Sequence, residues 1–281
     1  MSKIKITCDS TCDLTAELYE KYDVEVIPLE INLGGTYYKD SIDITSEQIY
    51  AYVGETGVLP KTAAISMAKY EETFKKYTDE GYTVIHINIS SAFSACYQNA
   101  CLAAEDFSNV RVIDSQNLST GQGLVVLKAC ELARNAADLD TLADQVRAFT
   151  EKVEASFVVD KLDYLVKGGR CSSAAALGAN LLNLKPCIEV KNGKMSVGKK
   201  YRGNYAKCLS NYIKERLEGR DNIDTEMMFL THTVVSDDVA AAAANAVNEY
   251  GHFETVYDAT AGCTVSCHCG PGTLGIIFVR K

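Results

Sequence analysis

The alternation of hydrophobic and polar positions changes character about halfway along the chain. In the first half, short apolar runs alternate with stretches of helical period. Residues 3–7 read as a strand, 15–22 as a short helix, and 24–33 as a second strand running into a Gly34-Gly35 turn. Helices are expected at 46–53 and 68–81, and Leu59-Pro60-Lys61-Thr62 reads as a loop. The β-branched run Val84, Ile85, Ile87 and Ile89 predicts a buried strand, followed by a helix over 95–107 and a strand over 110–113. Two further helices, 123–135 and 139–153, close this half, the second capped in the region of Asp138 and Asp140. Such alternation implies a mostly parallel sheet covered by helices on both faces.

From about residue 154 the order differs. A strand at 157–159 leads to a short helix over 162–167 that stops at Gly168-Gly169. Strands at 185–190 and 195–200 flank Asn192-Gly193, the strongest short hairpin signal in the chain. A helix over 205–217, a strand over 226–231 and an Ala-rich helix over 239–250 follow, then strands at 254–257, 263–267 and 274–279. The expected fold is α/β with two lobes. Residues 1–155 form a mostly parallel sheet flanked by helices, and residues 156–281 a mixed sheet with helices. No Pro/Gly/Ser-rich linker separates them, so the lobes are expected to pack closely with a ligand between them.

Composition narrows the class. With 281 residues and 47% hydrophobic content the chain can bury a large core. No apolar run approaches the roughly 20 residues needed to span a bilayer, and the N-terminus enters a strand pattern without a signal-peptide signature. A cytoplasmic protein is therefore expected, with its 11 cysteines reduced. Cys263, Cys267, His268 and Cys269 alternate along a predicted strand instead of forming paired knuckles, so no metal site is expected. The formal charge of −9 argues against a nucleic-acid partner. Its distribution is uneven: residues 161–220 hold 13 Lys and Arg against 4 Asp and Glu. A field of that sign steers an acidic partner or a phosphate group.

Candidate chemistry gathers where strands end. Ser90, Ser91 and Ser94 lie between a strand and a helix, where α/β folds bind anions. Asp9-Ser10-Thr11, Ser119-Thr120-Gly121 and Thr62 can reach the same edge, and His268 precedes a Gly-Pro-Gly turn. A serine esterase or thioesterase would use Ser94 as nucleophile and His268 as base, but the Gly-x-Ser-x-Gly elbow is absent. A phosphotransferase built on Asp9 would want a second carboxylate where Thr11 stands. No P-loop and no GxGxxG after the first strand support ATP or NAD as a cofactor. Binding of an anion needs only convergent donors. Ser94 is equally suited to be a helix N-cap and His268 to be structural, and spacing alone leaves these alternatives open.

Taken together, the motifs resemble the DegV family of fatty-acid-binding proteins. The matching segments are DSTCDL (9–14), LPKTAAIS (59–66), ISSAFSACYQNA (89–100), VIDS (112–115), LDYLVKGGR (162–170), LKP (184–186) and HCGPGTLGI (268–276). The resemblance implies a two-lobe fold enclosing one long-chain fatty acid, such as palmitate or oleate, and no catalysis or cofactor. It implies that Thr62 and Ser94 bind the carboxylate, with His268 and Ser91 near that head group. Some members are carriers that present the acid to a separate ATP-dependent fatty acid kinase and dock through basic residues; Arg170 and Arg202 are the candidates here. The chain departs from the family pattern in two places. Lys-Thr-Ser-Gln-Pro reads Lys61-Thr62-Ala63-Ala64-Ile65, and Ser-Gly-Thr-Tyr reads Ser94-Ala95-Cys96-Tyr97, which makes the site more apolar.

Overall fold

The computed structural model describes residues 3–175 and 184–281. The first half runs β1 (Lys3–Asp9), a 3-10 turn (Ser10–Cys12), α1 (Ala16–Tyr22), β2 (Glu25–Ile27), β3 (Glu30–Leu33), β4 (Thr36–Lys39), α2 (Ser46–Thr56) and β5 (Lys61–Ala63). It continues with α3 (Met67–Asp79), β6 (Tyr82–Asn88), α4 (Cys96–Ala104), β7 (Val110–Asp114), α5 (Thr120–Ala133) and α6 (Leu139–Thr150). The second half comprises β8 (Val153–Val158), α7 (Asp163–Gly168), α8 (Ser172–Ala175), β9 (Leu184–Lys191), β10 (Lys194–Arg202), α9 (Tyr205–Leu217) and β11 (Ile223–His232). It closes with α10 (Asp237–Tyr250), β12 (Thr255–Thr260), α11 (Cys263–Cys269) and β13 (Leu274–Arg280).

These strands form an α/β fold on three sheets. β2-β1-β6-β7 is parallel throughout. β10-β9-β8-β13-β11-β12 is mixed, with β11 and β12 parallel and its other pairs antiparallel. The two large sheets share a core because α5 lies between them, touching β1 and β6 on one side and β8 and β13 on the other. Its residues from Thr120 to Leu127 are all buried. A helical stretch buried on every side has no face to offer water, so it belongs in the middle of the molecule. A second core, under α9 and α10, covers the outer face of the mixed sheet.

The third sheet, β4-β3-β5, is the main departure from the pattern read off the sequence. The run 24–33 is two strands in different sheets, because Pro28 between them has no N–H for a ladder and turns the chain. Thr62 is a strand residue rather than a loop residue, pairing with Ile31 in β3. The segment read as a strand at 263–267 is helix α11. Six of its seven residues are buried, so neither a helical nor a strand period is visible in it. Cys263 and Cys267 face the small core of Ile31, Ile44 and Ile49, one helical turn apart. Among the described residues no group of three or more His, Cys, Asp or Glu is arranged to hold a metal ion. Nor is any described helix long and apolar enough to cross a membrane.

One contact ties the halves together, and a second lies beneath α5 where they share a core. The β9–β10 turn, with Asn192 and Gly193 both at positive φ, places the Gly193 carbonyl 2.8 Å from Ser90 Oγ, which donates to it. Asp13, at φ 51°, is buried beneath the N-terminus of α5 and accepts the Ser119 hydroxyl at 2.5 Å. Burial holds the Asp13 carboxyl well above the usual carboxylate range; the Ser119 bond works against this and the charge of nearby Asp40 adds to it. The folded protein therefore keeps a proton there that the unfolded chain releases at the ordinary aspartate value of 3.8, so stability falls as pH rises above that value. Asparagine tolerates positive φ and cannot ionise. Asp13→Asn should raise the Tm at pH 8 and flatten its alkaline decline; a variant less stable than the parent across pH 5–8 would contradict this assignment.

Candidate functional site

Thr62, Ser94, His268 and Arg170 come together around one cavity of about 200 Å³, although they lie on four separate segments of the chain. β5 carries Thr62, and pairing with β3 fixes the strand. The loop before α4 brings Ser94, α11 brings His268, and the turn between α7 and α8 brings Arg170. Leu29, Ile89, Phe93, Leu118 and Val265 supply the apolar wall.

The histidine is held by packing. Its Nε2 lies 2.9 Å from Thr62 Oγ1, and its buried Nδ1 has no hydrogen-bond partner. A Cβ on Gly168 would stand 2.6 Å from that Nδ1, so only glycine lets the ring sit there. An orphaned buried N–H costs more than an orphaned lone pair, so we assign the proton to Nε2. His268 then donates to Thr62, and the Thr62 hydroxyl proton is free for a ligand oxygen. Burial, with the neighbouring Arg170 charge, pushes the His268 pKa down to about 4, so the ring is neutral at physiological pH.

Ser94 takes a different place from the other two serines of its loop. Its Oγ accepts the Cys96 N–H at 3.3 Å and lies 3.1 Å from Cys96 Sγ. Ser90 is spent on the joint with Gly193. Ser91 is exposed, its backbone N–H bonded to Asp114, and it does not line the cavity. Ser91, expected near the head group, is turned outward by the tight turn after β6. Arg170 spans the two halves, with Nε donating to Phe93 O at 3.2 Å and Nη1 to Gly168 O at 2.8 Å. Arg202 is exposed at the end of β10, away from the cavity lining.

Beyond Leu118, Val265 and Cys269 the cavity adjoins a second chamber of about 40 Å³ over β8, β11 and β13. Several of its walls are hydroxyl residues, yet their hydroxyls are already used. Thr231 pairs with Thr120 at 2.6 Å, Thr233 donates to Gly270 O at 2.9 Å, and Thr273 to Cys269 O at 2.9 Å. Such threonines have their polar atoms committed elsewhere, and Phe157, Ala261 and Ile277 complete a hydrocarbon surface. Polar donors thus sit at one end and apolar walls at the other. The arrangement suits an anion with a hydrocarbon tail.

It does not suit a nucleophile and its base. His268 Nε2 faces Thr62, its Nδ1 meets no carboxylate, and Ser94 Oγ is engaged with Cys96. The sequence pointed to Thr62, Ser94 and His268 but not to Arg170 as a wall of the cavity, nor to Gly168 or Leu118. Gly168-Gly169 reads as a helix stop, and nothing in it signals a ring 100 residues downstream.

The family model for an uncharacterised protein of the DegV family matches residues 3–281. A DegV domain-containing protein of Clostridium acetobutylicum is 34% identical over 285 residues, covering all of both chains. Among solved structures, a fatty-acid-binding DegV family protein from Thermus thermophilus superposes with a TM-score of 0.90 at 30% identity, covering 100% of both chains. A stearic acid-binding protein from Eubacterium ventriosum gives 0.83 at 26% identity, covering 100% of this chain and 99% of its own.

Two tests follow from the histidine. Gly168→Ala should displace the ring, break its bond to Thr62 and cost about 1–3 kcal/mol in urea unfolding; an unchanged midpoint would mean the ring has room to spare. The unfolded chain protonates His268 at the ordinary histidine value of 6.5 and the folded protein only at about 4. The unfolded state therefore binds more protons in that window, and the stability held above it is lost as pH falls through it. His268→Gln should remove that part of the acid slope, measured by Tm between pH 7 and 4.

Proposed function

The chain belongs to the DegV family, and on that premise we propose that its cavity holds one long-chain fatty acid, such as palmitate or oleate, as a non-catalytic carrier. The observation that carries this is the convergence of the free Thr62 proton, Ser94 and the Arg170 guanidinium at one end of an otherwise apolar cavity. Thr62 and Ser94 donate to the carboxylate, and neutral His268 orients Thr62. A carboxylate buried against neutral donors alone is costly; Arg170 supplies the charge that makes it tolerable.

The tail runs past Leu118 and Val265 toward the second chamber. Each methylene taken from water contributes about 0.8 kcal/mol, so the chain provides the affinity and the hydroxyls the orientation. Because residues 1–155 and 156–281 both line the cavity, the two lobes act as one binding unit.

Arg170 is exposed as well as cavity-lining, which supports a head group held at the mouth, within reach of a partner. A separate ATP-dependent fatty acid kinase fits that position, docking on the basic face of residues 161–220 that includes Arg202. The setting is cytoplasmic lipid transport or fatty acid metabolism.

Native mass spectrometry of the purified protein should find one fatty acid per chain. Thr62→Ala combined with Ser94→Ala should weaken palmitate binding about tenfold or more without unfolding the protein, since two donors to a charged group are lost. A lipid-free protein without affinity for palmitate or oleate rules the function out.

A further inference from the structure

Behind Ser94 runs a chain of buried polar groups that the carboxylate site does not use. Asp9, Tyr70, His86 and Asn88 are fully buried. Asp9 Oδ1 accepts the Tyr70 hydroxyl at 2.7 Å, and Asp9 Oδ2 accepts the Ile89 N–H at 3.1 Å, which fixes the end of β6. Cys96 Sγ lies 3.1 Å from Ser94 Oγ. Cys96 is fully buried and is the sulfur neighbour of Ser94 at the cavity wall.

Ser94 Oγ accepts the Cys96 N–H, so its own proton is directed at the sulfur. Sulfur is a weak acceptor. Burial keeps the thiol protonated, its pKa pushed up to about 12, so no thiolate strengthens that bond. A hydroxyl at the same place would hold the Ser94 proton firmly.

We propose that Cys96 sets the affinity of the head-group site by holding the Ser94 proton weakly, so that the hydroxyl turns to a ligand carboxylate at little cost. The inference rests on the fatty-acid function proposed above. On binding, the Ser94 O–H leaves the sulfur and donates to a carboxylate oxygen, exchanging a weak hydrogen bond for a charge-assisted one. Cys96 is buried and absent from the cavity lining, so it is a positioning residue and does not touch the ligand.

The test is palmitate titration of the delipidated full chain in three variants. Cys96→Ser should bind about tenfold more weakly, because its hydroxyl competes for the Ser94 proton. Cys96→Ala should bind about two- to threefold more tightly, because the empty protein then leaves that proton unmet. A general packing role for Cys96 would move both in the same direction. In a Ser94→Ala background Cys96→Ser should have no further effect. The titration midpoint of ¹³C-carboxyl palmitate should also rise in Cys96→Ser. Palmitate binding by Cys96→Ser equal to the parent, or an equal loss with and without Ser94, would overturn the inference alone. Failure of the parent chain to bind palmitate would remove the fatty-acid function, and the inference with it.

Discussion

The site depends on the docking of α11 against the small β4-β3-β5 sheet. The helix lies between two strands of the mixed sheet, yet beside α7 its partners come from the first quarter of the chain. Asp40 Oδ1 accepts the Thr264 N–H at 3.1 Å, Ser46 Oγ and Ser266 Oγ meet at 2.9 Å, and Cys263 and Cys267 pack on Ile31 and Ile49. The carboxylate of Asp40 stands where the helix dipole favours negative charge. With those contacts in place, one face of the helix is committed to the small core. The other turns Val265, His268 and Cys269 to the cavity.

From that docking the polar end of the cavity is arranged by small clearances. His268 fits because Gly168 has no side chain, and its ring then meets Thr62 rather than Ser94. Burial beside Arg170 keeps the ring neutral. A neutral imidazole donating from Nε2 is a support for a hydroxyl. It is not a base waiting for a serine. The same residues that suggest a hydrolase in one dimension are thus not paired as nucleophile and base in three.

The serine loop after β6 shows the same division of labour on a finer scale. Three hydroxyls within five residues have three uses: Ser90 ties the lobes at Gly193, Ser91 faces solvent, and Ser94 remains at the cavity. Threonines of the second chamber illustrate the converse. Residues polar by type are hydrocarbon in effect once their hydroxyls pair with one another or with carbonyls.

Much of this molecule was legible in its sequence. The β-branched run before Ser90, the helix periods and the Asn192-Gly193 turn are local signals, because each is set by residues within a few positions of one another. They marked the parallel first half, the mixed second half and the hairpin that joins them. The motif set marked Thr62, Ser94 and His268. What the sequence could not show is which surfaces meet. Helix α11 is buried on nearly every side and so has no period to read, and Pro28 divides one apolar run between two sheets. Gly168 and Arg170 acquire their roles only against His268 and Phe93, at separations no local pattern spans. Local preference fixes elements; long-range packing decides which hydroxyl keeps a free proton.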